Sequence, residues 1–190
     1  GKDQMSKVLI VGGGAAGMLC SIIAARNGCA VFLYEKNEKL GKKLYITGKG
    51  RCNVTNNCEV EDLLRAVMTN SKFLYSAFYT FNSQDMMALL EETGVPLKTE
   101  RGNRVFPQSD RSSDIIRGLE RLMKKYGVHV RFRSEVREIL TKDGAATGIS
   151  LADGEVQNAD AVVVATGGLS YPTTGSTGDG YRFARETGHQ

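Results

Sequence analysis

Lys7-Val8-Leu9-Ile10-Val11-Gly12-Gly13-Gly14-Ala15-Ala16-Gly17, with Glu35 closing the apolar run that follows, decides the fold. Val8 to Val11 is continuously apolar, as suits a strand buried on both faces of a parallel sheet. Gly12, Gly14 and Gly17 stand at the offsets of a dinucleotide-binding turn. Gly12 permits the tight exit from the strand, Gly14 lets backbone approach a pyrophosphate, and Gly17 lets the helix pack close to the sheet. The helix start, with Ala15 and Ala16 in its first turn, offers free N–H groups and about half a positive charge to phosphates.

Met18, Leu19, Ile22, Ile23 and Ala25 give that helix an apolar face, and Asn27-Gly28 supplies its stop. Ala30 to Tyr34 is a second buried strand. It ends in Glu35, at the spacing of roughly 20 residues where a ribose-binding carboxylate belongs. A turn that merely packs a helix on a strand needs no such acid. Strand, glycines, helix, strand and acid in this order point to a dinucleotide site.

The chain has 190 residues, 41% hydrophobic and 24% charged, which suits a soluble globular protein with one sizeable core. It contains no apolar run of bilayer length and no signal peptide with a cleavage site. Residues 1–6 read as an N-terminal arm or tag remnant, and residues 7–190 as the folded domain. Cys20, Cys29, Cys52 and Cys58 show neither zinc-ligand spacing nor a disulfide framework, so a reducing, cytoplasmic setting is expected.

A net charge of +4 argues against a strongly basic nucleic-acid binder. The cations do cluster, at Lys36, Lys39, Lys42, Lys43, Lys49 and Arg51. An RNA patch, a solvated loop and electrostatic support for a dinucleotide's phosphates all fit that cluster. No RNA-binding motif accompanies it, so no nucleic-acid partner is expected, and no membrane partner either.

Residues 37–57 are rich in Gly, Lys and Asn, the composition of a surface loop or a functional one. Gly48 and Gly50 would let backbone approach a flat ligand. Arg51 could fork onto a phosphate or an anionic ring oxygen, and Asn53 offers a donor and an acceptor. Residues 59–94 have helical periodicity, through Val60, Leu63, Leu64, Val67 and Met68, then Phe73, Ala77, Phe78 and Phe81. Asn82 or Ser83 caps a further helix that stops at Gly94.

Leu97 to Phe106 suggests a hairpin, and Asp110 or Ser113 opens a helix ending near Tyr126-Gly127. Val128 to Arg133 alternates like a strand. Glu135–Leu140, Thr147–Leu151 and Glu155–Gln157 then form a small antiparallel meander turned at Asp143-Gly144 and Asp153-Gly154. Ala161 to Ala165 returns as a buried parallel strand running into Thr166-Gly167-Gly168, a second backbone approach to the nucleotide. Asp179 to Thr187 is expected to be a final helix, and no second sheet is expected. His129 and His189 lack the partners of a catalytic histidine, and no metal cluster can be assembled.

Beside the glycine turn and Glu35-Lys36 stand Gly48-Lys49-Gly50-Arg51-Cys52-Asn53-x-Thr55-Asn56, Ala165-Thr166-Gly167-Gly168, and Ser170-Tyr171-Pro172 running to Gly178-Asp179-Gly180. In this order they resemble the bacterial NAD(P)/FAD-dependent oxidoreductases that include aminoacetone oxidase and the bile-acid dienone reductase. The resemblance covers essentially Lys7 to Gln190. It implies an α/β fold: a Rossmann-like, glutathione-reductase-like FAD-binding domain with a parallel sheet, a small antiparallel β-meander and a helical segment.

The resemblance also implies FAD as cofactor, with NAD(P)H as a candidate electron donor. Gly12, Gly14, Ala15, Ala16 and Gly17 would hold the pyrophosphate, Glu35 the adenosine ribose, and Val136 the adenine through its backbone, with Lys36 a further cofactor-binding residue beside Glu35. Lys43, Thr47, Gly48, Arg51, Cys52 and Asn53 would line the flavin side, with Thr166 and Gly167 closing over the nucleotide. Members of the group continue with an insertion domain and a C-terminal segment completing the flavin pocket. Residues 7–190 would then be an incomplete FAD/NAD(P)-binding domain, the N-terminal portion of an enzyme acting on a small molecule.

Three other readings compete. Cys52 and Cys58 could form a dithiol–disulfide reductase pair, although Asn53 to Asn57 make a longer spacer than flavin disulfide reductases keep. The βαβ unit alone would also serve a non-enzymatic dinucleotide sensor. An RNA-modifying flavoprotein would need the basic loop to contact nucleic acid. No catalytic residue, substrate or oligomeric state can be assigned from the residues themselves.

Overall fold

The computed structural model describes residues 5–41, 63–64, 67–101, 104–166, 170–175 and 178–183. In chain order the elements are β1 (Lys7–Val11), α1 (Ala15–Arg26), β2 (Ala30–Tyr34), β3 (Met68–Thr69), α2 (Lys72–Tyr79) and α3 (Ser83–Glu92). They continue with β4 (Leu97–Glu100), β5 (Arg104–Pro107), α4 (Ser112–Lys125), β6 (His129–Arg131), β7 (Val136–Lys142) and β8 (Ala145–Leu151). Last come β9 (Val156–Asn158), β10 (Ala161–Val164), β11 (Ser170–Gly175) and β12 (Gly178–Phe183).

The central sheet has the order β3-β10-β1-β2-β6, with β10, β1, β2 and β6 parallel and β3 antiparallel at one edge. Both faces are covered over β1, β2 and β10, which is why these three strands read as unbroken apolar runs. Along β1 the two-residue period sends Val8 and Ile10 into the larger core under the helices, and Leu9 and Val11 into the core under a second sheet. Leu9 and Ile10 are fully buried, each side chain contributing about 2 kcal/mol by its removal from water. Helix α1 packs against the sheet, α2 and α4, so Gly17 to Ala24 are buried all round rather than along one stripe.

Local signals hold where capping chemistry supports them. Asn82 and Asp85 form a reciprocal capping box at α3, with bonds of 2.9 and 3.0 Å. The Leu97–Phe106 hairpin is present as β4 paired with β5. Asp143 and Gly144 both take positive φ, 53° and 81°, in the turn joining β7 to β8.

Four expectations are corrected: the helical reading of residues 59–94, the burial of Met68 and Phe73, the final helix and the absence of a second sheet. The helical reading of residues 59–94 fails at Met68 and Thr69, which form β3 and pair with Val164 and Val163 of β10. Met68 and Phe73, expected in the core, are 59% and 57% exposed. The final helix from Asp179 is replaced through Phe183 by strand β12. Gly180 comes so close to β7 that a Cβ there would lie 2.2 Å from Ile139 O, a packing the helical reading ignored. The meander therefore does not stand alone. It is part of a second, five-stranded antiparallel sheet of order β11-β12-β7-β8-β9, laid across the central sheet.

Candidate functional site

The site lies at the carboxyl ends of β1, β2 and β10, where a doubly wound sheet binds ligands. Gly12 leaves β1 at φ +106°, and its N–H donates to Tyr34 O at 2.9 Å. Only a residue without a side chain adopts that conformation cheaply. A Cβ on Gly12 would also sit 3.0 Å from Thr166 Cγ2. The residue after β10 is thus brought beside the turn after β1, and Ala165 N–H donates to Val11 O at 2.9 Å.

Gly14 is the N-cap of α1, in extended backbone, with no side chain capping the helix and no acid in its first turn. Met18 N–H bonds back to Gly14 O at 3.0 Å, and the amides before it are those a helix leaves without an internal partner. A Cβ built on Gly14 would meet nothing within 4 Å. That open approach, next to unclaimed amides at the positive end of the helix, is a cradle for an anion.

Glu35 is 7% exposed, although a carboxylate belongs at the surface. Its Oε1 accepts from Gly13 N–H and its Oε2 from Asn37 N–H, both at 2.7 Å. Each oxygen keeps one acceptor direction, enough for the two hydroxyls of a ribose. Around it, Gly41 N–H donates to Gly13 O at 2.6 Å, Ser134 N–H to Glu35 O at 2.9 Å and Arg133 N–H to Asn37 O at 3.0 Å. Leu40 is buried against the turn.

Beside this network a cavity of about 390 Å³ is lined by Lys36, Asn37, Arg131, Arg133, Ser134, Glu135, Leu151, Ala152 and Asp153. Arg131 grips Glu155 in a bidentate pair at 2.5 and 2.8 Å. That guanidinium, helped by Gln157, holds the Glu155 carboxyl down to about 2. Burial pushes the Tyr34 phenol up, against the opposing charge of Arg131, whose guanidinium lies 5.9 Å from the ring.

Of the residues singled out in sequence, the fold gathers Gly12, Gly14, Ala15, Ala16, Gly17, Glu35 and Thr166 at one end of the sheet. Lys36 lies exposed at the cavity. Val136 begins β7, two residues past Ser134, with its side chain buried in the second core and its position paired with Leu151 of β8. Lys43, Thr47, Gly48, Arg51, Cys52, Asn53 and Gly167 lie outside the described residues, as does Cys58.

Gly13, Asn37 and Gly41 escaped the sequence reading. Three consecutive glycines, where the pattern needs only the outer two, were the available signal. A Cβ on Gly13 would lie 3.0 Å from Glu35 Oε1 and 2.6 Å from Leu40 Cδ2. His129 stacks on Phe32 with ring centroids 4.8 Å apart, away from this network, as befits a structural histidine. Among the described residues no group of three or more His, Cys, Asp or Glu is placed to hold a metal ion.

Comparison with known proteins bears on the family and the fold. The family described as the HI0933-like protein Rossmann domain matches residues 6–190. The 3-dehydro-bile acid delta(4,6)-reductase of Clostridium scindens is 33% identical over 97% of this chain and 44% of its own length. The ribosomal RNA dihydrouridine synthase of Escherichia coli is 34% identical over 95% of this chain and 44% of its own. The chain thus spans less than half the length of these relatives. Among solved structures, 3-ketosteroid-delta4-(5alpha)-dehydrogenase from Rhodococcus jostii RHA1 superposes with a TM-score of 0.53 at 17% identity, covering 86% of this chain and 44% of that one, a likeness of fold. A family match over nearly the whole chain settles its kinship: the chain belongs to the HI0933-like Rossmann family, which includes flavoprotein oxidoreductases.

Proposed function

We propose that this chain is the nucleotide-binding portion of an FAD-dependent oxidoreductase that moves a hydride between NAD(P)H or a small organic substrate and the flavin. The observation that carries the reading is the cradle at Gly14, where a Cβ would meet nothing within 4 Å beside the uncapped start of α1. Glu35 narrows the ligand from any phosphate to a nucleotide, because its buried carboxylate keeps acceptor capacity for two hydroxyls. These residues fit the ADP half of FAD.

In this reading the amides of Gly14, Ala15 and Ala16 receive the pyrophosphate, and Gly17 keeps the helix close enough to present them. Glu35 takes the ribose, Lys36 flanks the adenosine, the main chain at Val136 reads the adenine, and Thr166 and Gly167 close over the nucleotide. Lys43, Thr47, Gly48, Arg51, Cys52 and Asn53 line the flavin side, where the charge of Arg51 tunes the ring edge. Bound FAD supplies reversible two-electron hydride chemistry. The chain contributes orientation, a fixed electrostatic field and exclusion of water.

The two curated relatives suggest the substrate class. A delta(4,6)-reductase and a dihydrouridine synthase both saturate a carbon–carbon double bond near a carbonyl. A small conjugated carbonyl compound is therefore the substrate of the first reading, with no nucleic acid or membrane as partner. A uracil base in RNA is the second, favoured by the 34% identity to the synthase. The reducing cytoplasm suits the free, buried Cys20 and Cys29. No helix among the described residues is long and apolar enough to cross a membrane.

The test is the visible spectrum of the purified protein after loading with FAD and dialysis. Retained flavin bands that bleach under anaerobic NADH or NADPH support the reading. A folded, colourless protein overturns it for this chain. RNA binding whose affinity falls steeply with added salt would favour the second substrate class.

A further inference from the structure

We propose that Met68 is a cofactor-contact residue whose side chain forms an apolar wall against the ring end of the bound flavin. The inference rests on the FAD-binding reading above and adds to it a residue that the helical period assigned to the core.

The last residues of four neighbouring strands lie in one row. Val11 of β1 pairs with Tyr34 of β2 on one side and with Val164 of β10 on the other, and Val164 pairs with Met68 of β3. Residues paired across strands project to the same face of a sheet. Tyr34, Val11 and Val164 all point into the core beneath the second sheet, whereas Val67, just before Met68, is buried under the helices. The first three are 5%, 5% and 8% exposed, and Met68 is 59% exposed. The row thus ends in a bare thioether at the edge of the sheet.

The residues just past this row are those a dinucleotide meets. Glu35 follows Tyr34, Gly12 follows Val11, and Ala165-Thr166 follows Val164. With the ribose at Glu35 and the pyrophosphate at the start of α1, the adenosine half takes the ends of β2 and β1. An extended cofactor then continues in the same direction, past Thr166 at the end of β10, toward β3. Three strand spacings put Met68 about 14 Å along the sheet from Tyr34, at the side where the ring, the far end of the cofactor, arrives. Methionine suits that contact. Its unbranched side chain adapts to a flat surface, and its sulfur packs favourably at the edge of an aromatic ring.

The experiment is oxidative footprinting in the dark, with the protein alone, with FAD and with ADP. Dilute hydrogen peroxide converts an accessible methionine to its sulfoxide, which peptide mass spectrometry reads site by site. Met5 is also 59% exposed and precedes β1 at the opposite end of the sheet, so it serves as internal standard. FAD is expected to slow oxidation of Met68 relative to Met5 by about fivefold or more. ADP, which lacks the ring, should leave that ratio unchanged. In calorimetric titrations Met68→Ala should weaken FAD by about three- to tenfold and leave ADP affinity as in wild type. Tyr79→Ala, which truncates an equally bare side chain on α2, should change neither.

A Met68-to-Met5 ratio that bound FAD does not move overturns the contact. So does equal protection by ADP and FAD, since a closing of the chain around any nucleotide would then account for it. Met68→Ala that leaves FAD affinity unchanged, or weakens ADP as much as FAD, overturns it as well. Wild type that fails to bind FAD overturns the flavin reading itself.

Discussion

Gly17 presses on Gly12: a Cβ on Gly17 would lie 1.8 Å from Gly12 O and 2.8 Å from Gly12 C. The obstacle is backbone, so no rotamer change relieves it. Gly17→Ala is expected to destabilise the fold by about 3 kcal/mol, because α1 must back away from the sheet it buries. Gly14→Ala meets no atom and is expected to cost less than about 1 kcal/mol, at the N-cap. It should nevertheless weaken FAD retention, by filling the cradle. Urea unfolding of both variants beside flavin retention checks the contrast.

A second glycine is tied to one core side chain. Gly41 stands at φ +63°, and a Cβ there would reach 2.5 Å from Ile116 Cδ1. Ile116 is fully buried and has nowhere to retreat. Gly41→Ala is expected to cost about 2 kcal/mol, part from the left-handed backbone and part from this clash. Ile116→Val alone should cost about 1 kcal/mol. The double variant should be more stable than the sum by at least about 0.5 kcal/mol, since Val lacks the clashing methyl. Denaturant unfolding of the four proteins measures that coupling.

The Arg131–Glu155 pair pins the end of the second sheet to β6. Glu155 sits at about 2 against an ordinary 4.5, so it binds its proton less readily folded than unfolded. Its contribution is complete above 4.5 and is lost as pH falls from there through 2. Glu155→Gln should therefore flatten the fall in thermal midpoint across that acid window and leave its slope near neutrality unchanged. A pH series of thermal melts reads this directly.

Cys20 is fully buried in α1, and burial pushes its thiol far above the usual range; burial also raises Cys29. Since the thiolate is the reactive form, neither should be alkylated in the native protein at neutral pH. Both should react at once in denaturant. Mass spectrometry of iodoacetamide-treated protein, native and unfolded, reports each site. Native labelling of Cys20 would mean that α1 opens locally.

Much of the site could be read from the residues because its signals are local. The unbroken apolar run of β1, the glycine offsets and the acid closing β2 each record a constraint within a single βαβ unit. The Asn82 cap and the Asp143-Gly144 turn were legible for the same reason, as backbone conformations that few residue types satisfy.

Partnership across the chain was not legible there. Met68 and Thr69 carry a helical period, yet they are a strand because β10 offers an open edge whose N–H and C=O groups need partners. Asp179, where a final helix is expected to start, lies in a strand because β7 runs alongside, close enough at Gly180 to demand a glycine. Glu35 was recognisable as an acid in the right place, but its grip on Gly13 and Asn37 exists only once the glycine turn and the 35–41 segment fold together. By itself the sequence determined the Rossmann-type βαβ unit and its glycine turn, through conformations each residue carries alone. The tertiary structure decided strands β3 and β12 and the grip of Glu35 on Gly13 and Asn37, because hydrogen bonds between distant segments outweigh local propensity once burial leaves a backbone group no other partner.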